Sequence, residues 1–246
     1  MLNKITSLLW KILFLIVMLV TLFCLPFKLF TKLLFSQRSY RLQSWQFARV
    51  WGWITIITTG SRVEVVGREN IPASGPVCFV GNHQSYFDIP ALVGFVGSPM
   101  GFIAKQELAK VPVLSQWMTQ LPSFFLDRDN ARQAVKVFKE AAQVMREGQP
   151  MVIFPEGLRA ERGQVTDFHL GSFKLAQMAE AVIVPFAIDG TWRIMEIDGN
   201  IHASRVKITI LPPVRPQDPI YSDKNALASH IRSSIEACLE TPRQEK

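Results

Sequence analysis

A histidine and an aspartate, His83 and Asp88, stand five residues apart where a predicted strand passes into a predicted helix. Loops that leave a rigid scaffold often carry binding and catalytic side chains. Because neighbours on a helical face are three or four residues apart, these two side chains can meet only if the chain turns between them. If they meet, the carboxylate fixes the imidazole tautomer, and the other ring nitrogen can take a proton from a substrate hydroxyl.

The same stretch also allows a purely structural interpretation. Ser85 is a suitable helix N-cap, and Asp88 falls three residues later, as in a variant of the capping box. His83 would then be an ordinary loop histidine. Both interpretations stay open on the evidence of this stretch alone.

A second turn places an acid and a base after the predicted strand at 151–154. It carries Glu156, Gly157 and Arg159. In a parallel sheet the carboxyl ends of the strands share one edge, and that edge binds ligands. We therefore expect this turn to face the same crevice as His83. The alternative is that Glu156 and Arg159 form a surface ion pair of little energetic value.

Two more basic side chains follow predicted strands. Arg128 comes after the strand at 124–126, and Lys105 after the strand at 102–104. A guanidinium group is well suited to a bidentate contact with phosphate. These residues are candidates for binding a phosphorylated ligand, whereas the alternative for Arg128 is a solvated run of charges.

Composition narrows the class of partner. The chain has 246 residues, of which 48% are hydrophobic, and a formal net charge of +7. A basic balance suits nucleic acid, anionic lipid headgroups or a phosphorylated substrate. Because the apolar residues are concentrated at the N-terminus, the sequence favours a lipid surface.

The cysteines and histidines form no ligand pattern. The three cysteines, Cys24, Cys78 and Cys238, are scattered, and no C-x-x-C motif occurs. The sequence therefore predicts neither a disulfide framework nor a metal site, and the expected compartment is a reducing one. We also expect no cofactor.

The N-terminal 60 residues are predicted to anchor the chain to a membrane. Residues 12–27 form an uncharged apolar run between Lys11 and Lys28, shorter than the roughly twenty residues that span a bilayer. Residues 42–59 are rich in tryptophan, as expected at the headgroup level. The pair either spans the bilayer once or dips into one leaflet. The alternative is two core helices of a soluble bundle.

From residue 61 to residue 246, short apolar runs alternate with amphipathic stretches. This alternation predicts an α/β domain, a mixed and largely parallel sheet flanked by helices. The predicted strands are 63–66, 77–80, 102–104, 124–126, 151–154, 183–188 and 206–211, and the predicted helices are 89–96, 109–119, 131–147, 172–181 and 226–239.

Four short motifs occur in a fixed order across residues 62–212. In order and spacing they resemble the four motifs of glycerolipid acyltransferases, above all the bacterial 1-acylglycerol-3-phosphate acyltransferases. The motifs are Asn82-His83-x-x-x-x-Asp88, Phe125-Leu126-Asp127-Arg128, Phe154-Pro155-Glu156-Gly157-Leu158-Arg159 and Val184-Pro185.

This resemblance implies an activity and a set of site residues. The reaction would move an acyl chain from acyl-CoA or acyl carrier protein to the sn-2 hydroxyl of lysophosphatidic acid, giving phosphatidic acid without an acyl-enzyme. The enzyme would lie on the bacterial inner membrane, facing the cytoplasm, with no nucleic-acid partner. The implied catalytic residues are His83 and Asp88, and the implied substrate-binding residues are Arg128, Glu156, Gly157, Arg159 and Lys105.

The chain departs from the family pattern around the third motif. Leu158 and Ala160 stand where the family usually has threonine and serine, and His169 stands near a position where lysine is common. These changes concern the acceptor headgroup, so another lysophospholipid, an acylated amino-acid lipid or glycerol 3-phosphate is an alternative acceptor. Two other classes are a non-catalytic membrane-tethered lipid-binding protein and a thioesterase or lipase. The last requires a serine or cysteine nucleophile that the sequence does not place.

Overall fold

The computed structural model of the protein describes residues 2–127, 130–160 and 163–239. Its centre is a seven-stranded sheet with the order β1-β7-β6-β2-β5-β3-β4. The strands are Arg62–Val66 (β1), Val77–Gly81 (β2), Gly101–Lys105 (β3), Phe124–Leu126 (β4), Met151–Ile153 (β5), Val182–Asp189 (β6) and Arg205–Ile210 (β7).

The sheet is mixed and largely parallel, which confirms the predicted fold class. Strands β6, β2, β5, β3 and β4 all run in one direction. Strand β7 runs antiparallel to β6, and β1 pairs in parallel with β7. The carboxyl ends of five neighbouring strands therefore share one edge of the sheet.

Helices cover both faces of the sheet and create two hydrophobic cores. One core includes residues of α5, α6 and α7, and the other includes residues of α2 and α3. Strand β2 serves both, because its alternate side chains point to opposite faces. The helices are Leu2–Leu34 (α1), Gln37–Ile57 (α2), Asp88–Phe95 (α3), Leu114–Gln120 (α4), Ala131–Arg146 (α5), Phe173–Ala179 (α6) and Lys224–Glu236 (α7).

All seven predicted strands are present, each within one residue of its predicted bounds. One predicted helix is wrong. Residues 109–119 are not continuous, because a 3-10 helix, Gln106–Lys110, ends before α4 begins at Leu114. Pro112 lies in the gap, and proline disfavours the helical conformation in the residue before it.

Helix α1 turns its apolar face outward. It is a single helix that extends past both ends of the predicted 12–27 run. The polar side chains of Ser7 and Thr21 are buried against the body, whereas large apolar side chains such as Leu8 and Phe23 are 59% and 84% exposed. The segment Lys4–Cys24 is long and apolar enough to cross a membrane. For α1, this outward apolar face argues against the interpretation as a soluble core helix.

Helix α2 packs directly on α3. A β-carbon added at Gly52 would lie 2.6 Å from the Pro90 carbonyl oxygen, and one added at Gly94 would lie 2.7 Å from the Trp53 nitrogen. Only glycine allows so close a backbone approach. Because α3 begins at Asp88, the second N-terminal helix fixes the position of the element that carries the predicted aspartate.

Candidate active site

The loop between β2 and α3 brings the two residues of the predicted pair together. His83 Nδ1 lies 2.6 Å from Asp88 Oδ2. The Asp88 side chain is fully buried, whereas 21% of the His83 side chain is exposed. The chain turns between them, so a buried carboxylate faces one nitrogen of a histidine ring that solvent can reach.

Ser85 and Asp88 are arranged differently from the capping-box interpretation. The N-cap of α3 is Phe87, and the hydroxyl of Ser85 accepts a hydrogen bond from the backbone N–H of Phe87 at 2.9 Å. Asp88 Oδ2 accepts hydrogen bonds from the N–H groups of Gln84 and Ser85, at 2.7 and 3.0 Å. One carboxylate oxygen thus closes the loop and also holds the imidazole.

The other oxygen of Asp88 is held from β6, the neighbouring strand. Thr191 Oγ1 donates to Asp88 Oδ1 at 2.5 Å. Thr191 is fully buried and opens the 3-10 helix Thr191–Ile194, which follows β6. Both oxygens of the aspartate are therefore fixed by protein groups. The sequence analysis missed Thr191, although a polar residue just past a predicted strand was an available signal.

Asn82 joins the start of the loop to β6. Its side-chain amide donates to the carbonyl oxygen of Ile188 and accepts from the N–H of Ile188, both at 2.9 Å. Asn82 is fully buried. This paired contact holds the residue just before His83 against β6, a role that the motif alone did not reveal.

The plane of the His83 ring is set by Phe154. The two rings are stacked, with centroids 4.3 Å apart and an interplanar angle of 20°. Within the described residues, the only side-chain hydrogen bond of His83 is the one at Nδ1. The ring is therefore held at Nδ1 and on one face, and Nε2 makes no side-chain hydrogen bond within the part of the chain that the structure describes.

The carboxylate of Glu156 holds the backbone of His83 by a hydrogen bond. Its Oε1 accepts the N–H of His83 at 2.9 Å. Its Oε2 accepts from the N–H and the hydroxyl of Thr166, at 2.9 and 2.8 Å. The residue is only 3% exposed, and burial raises the pKa of its carboxyl group. Direct contact between Glu156 and a substrate stays a prediction.

The turn after β5 folds back over the His83 loop. Gly157 has φ +76°, a conformation that glycine adopts without steric cost. The N–H of Ala160 donates to the carbonyl oxygen of His83 at 2.8 Å. Arg159 reaches the same loop, and its guanidinium carbon lies 3.3 Å from the centroid of the Tyr86 ring. The second and first predicted turns are therefore in contact, whereas a shared crevice for a ligand stays a prediction.

Lys105, another basic candidate, lies on the far side of the same edge. Lys105 ends β3, is 53% exposed and pairs with Glu107 at 2.9 Å. Its hydrogen bond lowers the pKa of the Glu107 carboxyl. In sheet order, β5 lies between β3 and the strand that precedes His83. Arg128 lies outside the described residues.

The structure also shows the surroundings of a potential cysteine nucleophile and of potential metal ligands. Cys78 is fully buried in β2, and burial raises the pKa of its thiol to about 12. A thiolate at this position is therefore disfavoured at neutral pH. Among residues 2–127, 130–160 and 163–239, no group of three or more His, Cys, Asp and Glu side chains is arranged to hold a metal ion.

Comparison with known proteins decides the family. The sequence model of the acyltransferase family matches residues 62–189, more than half of the chain. The chain belongs to the acyltransferase family. His83, Asp88, Glu156 and Arg159 all lie within the matched region, whereas Thr191 lies just beyond it.

Relatives from plants and bacteria resemble this acyltransferase. It is 29% identical to the chloroplastic 1-acyl-sn-glycerol-3-phosphate acyltransferase of Arabidopsis thaliana, over 76% of this chain and 52% of the relative. It is 31% identical to the 1-acyl-sn-glycerol-3-phosphate acyltransferase of Borreliella burgdorferi, over 76% of each chain. The acyltransferase thus spans about half the length of its plant relative and about three quarters of its bacterial one.

A solved structure shares the whole architecture. The crystal structure of the 1-acyl-sn-glycerophosphate acyltransferase PlsC from Thermotoga maritima superposes with a TM-score of 0.81. The two sequences are 29% identical, and the superposition covers 96% of this acyltransferase and 95% of the other chain. The similarity therefore includes the N-terminal helices as well as the sheet.

Proposed function

We propose that this acyltransferase transfers a fatty acyl chain from a thioester to the sn-2 hydroxyl of 1-acylglycerol 3-phosphate, forming phosphatidic acid. The observation that carries the proposal is the contact of 2.6 Å between His83 Nδ1 and Asp88 Oδ2. The names of the plant and bacterial relatives supply the substrate class. Phosphatidic acid would then serve phospholipid synthesis.

His83 acts as the general base in this reaction. A neutral alcohol is a poor nucleophile at neutral pH, so it needs a base at the moment of attack. Nε2 takes the hydroxyl proton while the oxygen attacks the thioester carbonyl carbon. When the tetrahedral intermediate collapses, the carbon–sulfur bond breaks, and the imidazolium returns the proton to the departing thiolate. The products are an ester and a free thiol, and no proton is gained or lost.

Asp88 orients the imidazole and stabilises the imidazolium. Its carboxylate already accepts bonds from two backbone N–H groups and from Thr191, so it has little freedom to rotate. Such preorganisation supplies the charge stabilisation without reorganisation during the reaction. General-base catalysis of this kind typically contributes ~10²–10⁴-fold in rate.

The acyl group passes directly between the two substrates. The thiol nearest the pair in sequence, Cys78, is buried with a raised pKa, and the Ser85 hydroxyl is buried and bonded to the Phe87 N–H. Neither is placed to form an acyl-enzyme. Acid-quenched enzyme that retains a labelled acyl chain after incubation with donor alone would contradict this step.

Cationic side chains bind the acceptor phosphate. Arg159 reaches over the His83 loop, and the predicted phosphate ligands Arg128 and Lys105 follow strands of the same sheet edge. Glu156 and Gly157 shape the turn that carries Arg159. In this proposal, the headgroup is fixed beside Nε2, so that the sn-2 hydroxyl meets the base.

The N-terminal helices hold the active site at the membrane surface. Ser7 Oγ accepts the N–H of Ile201 at 2.8 Å, and Thr21 Oγ1 accepts from the indole of Trp117 at 3.0 Å. Fourteen residues of helix correspond to about 21 Å, so α1 lies along the body over that length. This favours a helix that dips into one leaflet with its apolar face outward.

Residues 1–60 are proposed as the anchor, and residues 61–246 as the catalytic domain. The location we propose is the cytoplasmic face of the bacterial inner membrane, because basic residues are more numerous after the apolar run than before it. There the site meets acyl-CoA or acyl carrier protein. Both donors are acidic, and the net charge of +7 favours their approach.

One experiment separates this function from its alternatives. Purified protein is mixed with labelled acyl-CoA and a panel of acceptors that includes lysophosphatidic acid, lysophosphatidylcholine and glycerol 3-phosphate. We expect labelled phosphatidic acid. Another labelled phospholipid would indicate a different acceptor, free fatty acid would indicate a thioesterase, and no product would indicate a lipid-binding protein.

A further inference from the structure

The guanidinium group of Arg159 lies over the ring of Tyr86. The guanidinium carbon lies 3.3 Å from the ring centroid, directly over the face. Tyr86 stands between His83 and Asp88 in the sequence, yet its side chain is 60% exposed. The stacked pair thus joins the His83 loop to the turn after β5, at the open side of the site.

The base of the Tyr86 side chain is fixed although its ring is exposed. The backbone N–H of Tyr86 donates to Glu196 Oε1 at 3.0 Å, and both neighbours, Ser85 and Phe87, are buried. Burial raises the pKa of the Glu196 carboxyl. The backbone that carries the Tyr86 ring is therefore held by a hydrogen bond and by buried neighbours.

Arg159 has few other constraints. Within the described residues, no carboxylate lies within ion-pair distance of its guanidinium group, and the residue as a whole is exposed. A long side chain loses conformational entropy when a ligand immobilises it. Stacking on an aromatic ring restricts the guanidinium beforehand and keeps its N–H donors in its own plane, where a phosphate can accept two of them.

We infer that Tyr86 is a positioning residue for the acceptor, because it holds Arg159 in the orientation that binds a phosphomonoester headgroup. This inference rests on the proposed function. It assigns substrate recognition to a position that the motif His83-x-x-x-x-Asp88 leaves unspecified. The contact depends on the ring face and not on the phenol, since the Tyr86 hydroxyl makes no hydrogen bond within the part of the chain that the structure describes.

A double-mutant cycle tests the inference. Tyr86→Leu removes the ring face, Tyr86→Phe keeps it, and Arg159→Ala removes the cation. We expect Tyr86→Leu to raise KM for lysophosphatidic acid by about three- to ten-fold, as for loss of a cation–π contact, with kcat within two-fold. Tyr86→Phe should restore the wild-type KM. In the Arg159→Ala background, Tyr86→Leu should have no further effect.

Each outcome of the cycle is decisive. Equal KM effects of Tyr86→Leu with and without Arg159, or no effect in either background, would overturn the inference. A loss of kcat without a change in KM would instead indicate a general defect of the loop and also overturn it. Tyr86→Gln serves as a second variant if Tyr86→Leu lowers the unfolding temperature. Wild-type protein that makes no phosphatidic acid would refute the proposed function itself.

Discussion

The sheet edge that carries the candidate active site has a buried half and an exposed half. Around β6, β2 and β5, the polar side chains of Asn82, Asp88, Glu156 and Thr191 are buried, and each has hydrogen-bonding partners within the protein. Around β3, Lys105 is exposed, and within the described residues it forms an ion pair with another exposed residue, Glu107. We infer that the buried half does the chemistry, because proton transfer requires fixed geometry. The exposed half suits recognition of charged substrates, which mobile cations can achieve.

Among the residues that support His83, Asp88 should have the largest effect on kcat when it is substituted. Asp88→Asn presents an amide NH₂ or a neutral oxygen to the two backbone N–H groups and to the imidazole, so the ring loses its tautomer and its charge partner. We expect kcat to fall by roughly 10³–10⁴-fold, as when the carboxylate of a comparable triad is replaced, with KM little changed. Steady-state kinetics check this. A loss below about ten-fold would contradict the assigned role.

Substitution of Glu156 tests whether a residue that holds the His83 backbone, and not its ring, affects kcat. In Glu156→Gln one of the backbone donors, of His83 or of Thr166, faces an NH₂ group. An unsatisfied buried donor costs about 1–3 kcal/mol, so kcat should fall by roughly 10- to 100-fold. Rates measured at saturating substrate concentrations check the prediction. A wild-type kcat in this variant would show that the hydrogen bonds of Glu156 are not needed for catalysis.

The stability of Glu156→Gln relative to wild type should also depend on pH. Burial raises the pKa of Glu156 in the folded state, so its favourable contribution to stability is present at low pH and is lost as the pH rises through that pKa. Glutamine has no such loss. The unfolding temperature of Glu156→Gln, relative to wild type, should therefore increase between pH 5 and pH 8. A difference that is constant or decreases would contradict the assignment.

Thr191 should have an intermediate effect. Thr191→Val keeps the shape of the side chain but removes the donor to Asp88 Oδ1. Loss of one hydrogen bond to a charged group costs about 1.5 kcal/mol or more, so we expect about a ten-fold lower kcat with KM unchanged. Thr191→Ser should restore the rate. A serine variant as slow as the valine variant would show that packing, and not the hydroxyl, is what matters.

Substitution of Lys105, in the exposed half, should have the smallest effect on the kinetics. Lys105 is solvated and already paired with Glu107, and exposed ion pairs contribute about 0–1 kcal/mol. Lys105→Ala should raise KM for lysophosphatidic acid about two-fold, leave kcat unchanged and lose its effect in high salt. A loss of kcat as large as that of Thr191→Val would remove the distinction between the two halves.

Local sequence patterns predicted much of this architecture. The strands are short apolar runs bounded by turn residues, so their periodicity located each of them. The meeting of His83 and Asp88 was one of two interpretations of their stretch, and the resemblance of the four motifs favoured it. The partners of Phe154, Thr166 and Thr191 could not be assigned, even though Thr191 is a polar residue just past a predicted strand, because those contacts depend on how distant segments meet in the fold. Strand order is not encoded in any local pattern.

The N-terminal region shows the same limit. Its hydrophobicity predicted a membrane anchor, and α1 does present an apolar outer face. The packing of α2 on α3 through Gly52 and Gly94 was not predicted. Two glycines about 40 residues apart give no signal until the fold brings them together. The N-terminal helices and the site are therefore physically connected in a way that the composition did not indicate.

The most direct test of the central claim is the rate of phosphatidic acid formation by His83→Ala. The assay uses purified protein, acyl-CoA and lysophosphatidic acid, with circular dichroism to verify folding. If the His83 imidazole is the general base, the folded variant should lose at least as much kcat as Asp88→Asn, roughly 10³–10⁴-fold. A folded His83→Ala enzyme that makes phosphatidic acid at the wild-type rate would contradict the account.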